Sequence, residues 1–234
     1  LVAIVTVAAF AQGLTGFGFG LVAMALLPLF MDFKDAVALV AVLNLLVCIA
    51  TFLTTRRHLV WRRVAPLAAA SFLGVPFGVW ALVRWDARWL LAVLGAWMIA
   101  FAISELLLAR WWRPRFPEWS GWPVGLVSGA LGGAFNAGGP PVIAYVYSQP
   151  WSKEETVVAL QVIFGASAVM RVALMGGTGL VPSDLMTVCA VSALPVLGGI
   201  ALGARLLRRV PQAALKVVAA AFFLVMGAKY LLAP

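Results

Sequence analysis

Of 234 residues, 64% are hydrophobic and only 11% charged, against about 25% charged in soluble domains, so a soluble globular protein is excluded. The net charge of +9 sits in short basic clusters between apolar stretches, which argues for a lipid bilayer as partner and against nucleic acid. The two cysteines, Cys48 and Cys189, lie inside apolar stretches and the single histidine, His58, lies in a basic loop, so no disulfide or metal site is implied.

Apolar segments long enough to cross a bilayer fall near 1–31, 36–55, 64–83, 89–109, 121–149, 156–175, 182–207 and 212–233. The first is interrupted by Gly13-Leu14-Thr15-Gly16-Phe17-Gly18-Phe19-Gly20. The second leads into the basic loop 56–63. Between the fourth and fifth lies a polar stretch, 110–123, whose Trp111, Trp112, Trp119 and Trp122 suit the headgroup level. The fifth is interrupted by Gly129-Ala130-Leu131-Gly132-Gly133-Ala134-Phe135-Asn136-Ala137-Gly138-Gly139-Pro140-Pro141. Shifting the first half by 125 residues superposes Gly74 on Gly199, Gly78 on Gly203, Arg84 on Arg209 and Leu106 on Leu231. The coincident GxxxG pairs would let helices approach closely in lipid. The chain reads as a duplication: an N-terminal repeat over 1–109, a basic Trp/Pro linker over 110–120 and a C-terminal repeat over 121–234.

Charge arbitrates the topology. If segments 1–31 and 121–149 enter and return as hairpins, each half crosses three times and the second half is inverted. Arg56, Arg57, Arg62, Arg63, Arg110, Arg113, Arg115, Lys153, Arg205, Arg208 and Arg209 then share one face, which would be cytoplasmic. Each hairpin arm would have about 12–15 residues, reaching about 20 Å, just past mid-membrane. A full crossing with an unwound middle satisfies the glycines as well. The expected fold is an all-α integral membrane protein of two inverted repeats, each of about four helical segments, the first of each re-entrant at its glycine-rich motif.

Backbone breaks within lipid survive only where protein or a water-filled cavity satisfies them, and a matched pair marks a transporter's binding site. The outgoing arm of each break presents unpaired N–H groups and the positive end of a helix dipole, a natural anion site. Gly16 and Gly18 at one break, and Gly138, Gly139 and Pro140 at the other, are the expected backbone contacts. Gln12 and Thr15 flank the first break; Ser128 and Asn136 flank the second. Asn44 and Gln161 lie within spans, where an unpartnered amide costs several kcal/mol, roughly, so they should face the interior. They serve equally as ligand donors or as links between helices. Arg171 shares a helix face with Phe164 and Ala168 and is the candidate counter-charge; the alternative is a side chain near the helix end that reaches the interface. Acidic residues sit near segment ends, which leaves a carboxylate proton relay without support. No nucleophile set, metal-ligand cluster or phosphate-binding loop is present, so the chain reads as neither an enzyme nor a cofactor binder.

With these features assembled, the chain resembles the TauE/SafE family of sulfite and organosulfonate exporters over nearly its full length. The resemblance rests on Gly13-Leu14-Thr15-Gly16-Phe17-Gly18 and on Gly125-Leu126-Val127-Ser128-Gly129-Ala130-Leu131-Gly132-Gly133 with its continuation to Gly138-Gly139-Pro140-Pro141. It implies a secondary carrier, without an ATPase subunit, for a small sulfur-containing anion such as sulfite, sulfoacetate or thiosulfate across the bacterial inner membrane. Phe17 and Phe19 narrow the first break. The expected mechanism is alternating access around a midplane site. A passive anion channel of the same fold and a non-transporting scaffold are the alternatives. A coupling proton or ion and a homo-oligomer are compatible with this plan.

Overall fold

The structure is a computed structural model, and it describes residues 1–104, 106, 116–177, 183–206 and 212–232. Those residues form ten α-helices: α1 Val2–Thr15, α2 Phe19–Leu26, α3 Phe33–Thr55, α4 Trp61–Arg84, α5 Ala87–Ile103, α6 Gly121–Phe135, α7 Gly139–Ser148, α8 Lys153–Gly177, α9 Ser183–Leu206 and α10 Gln212–Leu232. Of these, α3, α4, α8 and α9 are long and apolar enough to cross a membrane. This is an all-α integral membrane protein. The linker residues 110–115, with Trp111, Trp112, Arg110, Arg113 and Arg115, lie outside the described residues, as do Arg208 and Arg209.

Both expected breaks are present, and each has a local cause. α1 stops at Gly16, whose φ of 82° is left-handed; Gly18 follows at φ 102°. An L side chain resists that region, and glycine does not. α6 stops at Asn136, left-handed at φ 56°, a conformation asparagine tolerates better than most residues. α7 then starts with prolines in its first turn, where a missing N–H costs little. At 14 and 15 residues, α1 and α6 reach about 21–22 Å, short of a hydrocarbon core of about 30 Å.

The two halves hold each other through glycine-lined seams. A side chain at Gly74 would strike the Leu126 carbonyl and Ala130 N; one at Gly199 would strike the Thr6 carbonyl and Phe10 N. The pair Thr6 and Phe10 becomes Leu126 and Ala130 on adding 120, and Gly74 becomes Gly199 on adding 125. Likewise Gly78 faces Gly133 across α4 and α6, as Gly203 faces Gly13 across α9 and α1. Residue numbers rise together along both seams, so each is a parallel pair. Backbone contact this close replaces hydrophobic driving force, which lipid does not supply between helices. By contrast α5 and α10 run antiparallel: Gly95 abuts Leu231, Gly227 abuts Ile99, and the Phe101 and Phe223 rings lie 5.7 Å apart. α3 and α8 meet at Cys48 and Gly165 in the middle of the bundle.

The antiparallel pair α5 and α10 ties down both broken segments. Trp97 Nε1 on α5 donates to the Ala137 carbonyl at 3.1 Å, and Tyr230 on α10 donates to the Ala25 carbonyl of α2 at 2.8 Å. The loop 56–63 is tied to the start of α8 by Arg63 and Glu155 at 3.3 Å. His58 is exposed in that loop, and Cys48 and Cys189 are buried free thiols.

Candidate functional site

Where the two breaks approach one another, the helices enclose a cavity of about 40 Å³. Gln12, Gly18, Asn44, Asn136, Gly138, Gly139 and Arg171 line it, seven of the residues that the sequence marks out. Phe19, Gly20, Leu21, Ser128, Gly132, Phe164 and Ser167 complete the wall. A volume of this size holds a few waters or one small ion.

At the first break, the Phe19 N–H donates to Gln12 Oε1 at 2.9 Å. Gln12 thereby caps α2 from the last turn of α1 and bridges the unwound residues. The N-terminus of α2 is thus already served by a protein oxygen, while the amide nitrogen of Gln12 has no partner among the described residues. Asn44 on α3 has only the Cys48 thiol near its Oδ1, at 4.0 Å.

The second break is finished differently. No side chain caps α7. Pro140 and Pro141 carry no N–H, which leaves Gly138 and Gly139 as the donors at this end. Ser128 Oγ donates to the Gly138 carbonyl at 2.6 Å and holds the break against α6. A side chain at Gly138 would collide with the Ser128 carbonyl, so this glycine is needed for packing. At Gly139 the nearest atoms to an added Cβ are Ile143 Cδ1 at 3.4 Å and Phe164 Cζ at 3.8 Å, so its backbone is open on the cavity side. Asn136 Nδ2 donates to the Val37 carbonyl at 3.0 Å, and its Oδ1 is buried without a partner.

Arg171 supplies the charge. It is 2% exposed, its Nη1 donates to the Gly132 carbonyl, and its Nε has no partner. The only ion pair among the described residues is Arg63–Glu155, far from it in the chain and exposed. A guanidinium buried without a carboxylate costs several kcal/mol, roughly, unless a counter-ion arrives.

Four expected residues stand behind the cavity and do not line it: Thr15, Gly16, Pro140 and Gln161. Thr15 Oγ1 donates to the Ala11 carbonyl at 2.9 Å and closes the end of its own helix. Gln161 Nε2 reaches the Gly16 carbonyl at 3.5 Å, joining α8 to the first break, and its Oε1 is unpartnered. Ser167, not among the site residues that the sequence marks out, is a helix contact through Ser71 Oγ at 3.0 Å and also lines the cavity. Its place four residues before Arg171, on the same helical face, is the signal that could have found it.

A bundle of membrane-crossing helices with two half-helix pairs meeting at an interior polar cavity defines a polytopic membrane transporter. The family described as "Sulfite exporter TauE/SafE" matches residues 1–230, and the chain belongs to that family. It is therefore a transporter and not an enzyme, a multi-pass protein of the bacterial inner membrane. It is similar to the "Probable sulfite/organosulfonate exporter TauE" of Cupriavidus necator, 27% identical over 194 residues that cover 79% of this chain and 74% of the relative. It is also similar to the "Probable inner membrane transporter protein TsaS" of Comamonas testosteroni, 24% identical over 172 residues covering 73% and 72%. No solved structure matches the chain significantly.

Proposed function

We propose that this chain is a secondary carrier exporting a small sulfur oxyanion, sulfite before any longer organosulfonate, by alternating access around the cavity between the breaks. The observation that carries the reading is Arg171, a buried cation without a carboxylate partner among the described residues, lining a cavity beside the uncapped start of α7. Gly138 and Gly139 N–H groups and the free amides of Gln12 and Asn44 add donors; Ser128, Ser167 and the phenyl walls shape the space. The few donors around a small cavity of about 40 Å³ suit a compact oxyanion.

The repeats we take to be inverted, with both first segments re-entrant. The antiparallel run of α5 and α10 supports this arrangement. Two complete crossings in place of the hairpins would make α5 and α10 parallel. Rocking of one repeat against the other would then expose the fixed site to either side.

Counterflow of labelled sulfite into proteoliposomes tests the function. Saturable exchange, inhibited by sulfite more strongly than by sulfoacetate or sulfate, is expected. No exchange above empty liposomes by folded protein would defeat the assignment, and single-channel currents would replace the carrier with a pore.

A further inference from the structure

Asn136, which lines the cavity, carries a buried acceptor with no partner among the described residues. Asn136 is held by its Nδ2 donating to the Val37 carbonyl, and that partner fixes the amide's orientation, since turning it over would set two oxygens face to face. Its Oδ1 is buried and unpartnered, on a residue only 9% exposed that lines the cavity. The other polar side chains with free valences there, Arg171, Gln12 and Asn44, offer N–H donors. A ligand made only of acceptor oxygens is repelled by Oδ1; a ligand with an O–H satisfies it.

Charge points the same way. Arg171 is the one charged residue lining the cavity among the described residues. A monoanion leaves the site neutral, whereas a dianion leaves net charge buried in low-dielectric surroundings. Of the elements packed around it, α3 contributes the Cys48 thiol, which lies close enough to Arg171 to interact with it. Neither α1, α2, α6 nor α7 adds a titratable group to the lining, and no carboxylate does.

Resting on the sulfite reading above, we infer that the species carried is the protonated monoanion, hydrogen sulfite, with Arg171 as counter-charge and Asn136 Oδ1 accepting its O–H. The proton travels on the substrate, so sulfite export carries a proton out and requires no carboxylate relay. A sulfonate monoanion, lacking the O–H, binds with Oδ1 unanswered. Sulfate, as a dianion without a proton to give, fails on both counts.

The test is initial counterflow in proteoliposomes at fixed, subsaturating total sulfite across a pH series from mildly acidic to alkaline. Methanesulfonate, which has no proton to lose in this range, is the control, read as flux or as inhibition of sulfite flux. Sulfite rates should fall by about tenfold per pH unit on the alkaline side of hydrogen sulfite's own ionisation, with the methanesulfonate signal level. Asn136→Gly, which accepts the left-handed backbone, should raise the methanesulfonate-to-sulfite ratio by about fivefold or more. Sulfite flux that stays level or rises with pH means the dianion is carried; it overturns this inference and leaves the sulfite assignment standing. An unchanged ratio in Asn136→Gly removes Asn136 from the discrimination. Absence of saturable sulfite flux at every pH overturns the functional reading and this inference together.

Discussion

The two breaks share a backbone plan and part company in how they are finished. At equivalent places, Gly16 and Asn136 both turn left-handed to end a helix of 14 or 15 residues. At the first break Gln12 reaches across and caps α2, so the dipole end is occupied by the protein itself. At the second, prolines and glycines leave α7 uncapped, and Arg171 stands beside it without a carboxylate among the described residues. The same scaffold occurs twice. On the function proposed above, the anion is held chiefly at the second copy, and the first is finished largely by its own structural contacts.

The sharpest way to break this comparison is to remove the charge from the second break. Arg171→Met should abolish sulfite counterflow, since losing one partner of a buried ionic contact costs about 2–5 kcal/mol of binding, about 30-fold or more. The same variant should fold as well as the parent or better by thermal unfolding in detergent, because an unpaired buried cation is removed. Equal flux in Arg171→Met would end the anion assignment of this break.

Next in size is occlusion. Gly139→Leu places a side chain in the cavity mouth, where the backbone is open, and should lower flux at least tenfold with expression unchanged. The equivalent effect is not expected at the seams. Gly78→Val and Gly203→Val should instead lower thermal stability, both by similar amounts and by more than about 2 kcal/mol, because each puts a Cβ into a facing carbonyl. Unequal losses would show that the two seams are not equivalent. The smallest effect should be Gln12→Ala, a lost helix cap at the first break costing about 1 kcal/mol in stability and only a few-fold in flux.

Much of this was legible in the chain. Glycine runs inside apolar segments announced the breaks because few other residues can leave a helix in lipid. The GxxxG pairs at Gly74/Gly78 and Gly199/Gly203, which coincide at an offset of 125, do form the seams. The division of labour was not legible. Gln12 capping Phe19 spans seven residues of unwound chain, and no periodicity predicts such a contact. Arg171 sits near the end of α8, where sequence allows a side chain to reach the interface; only the packing of α3 and α6 around it shows that it stays inside. Thr15 and Gln161 look like ligand donors on composition, yet local geometry turns the one to the Ala11 carbonyl and the other to the Gly16 carbonyl.

The seams also govern how the molecule is made. α1 has its closest glycine partner on α9 and α4 has its own on α6, so neither half contains the surface that completes it. On the ribosome, Gly13 emerges about 190 residues before Gly203, which at 5–20 residues per second is a wait of roughly 10–40 s. For that interval the glycine face of α1 lacks the helix that covers it in the folded protein, so completion of the first half waits on synthesis of the second.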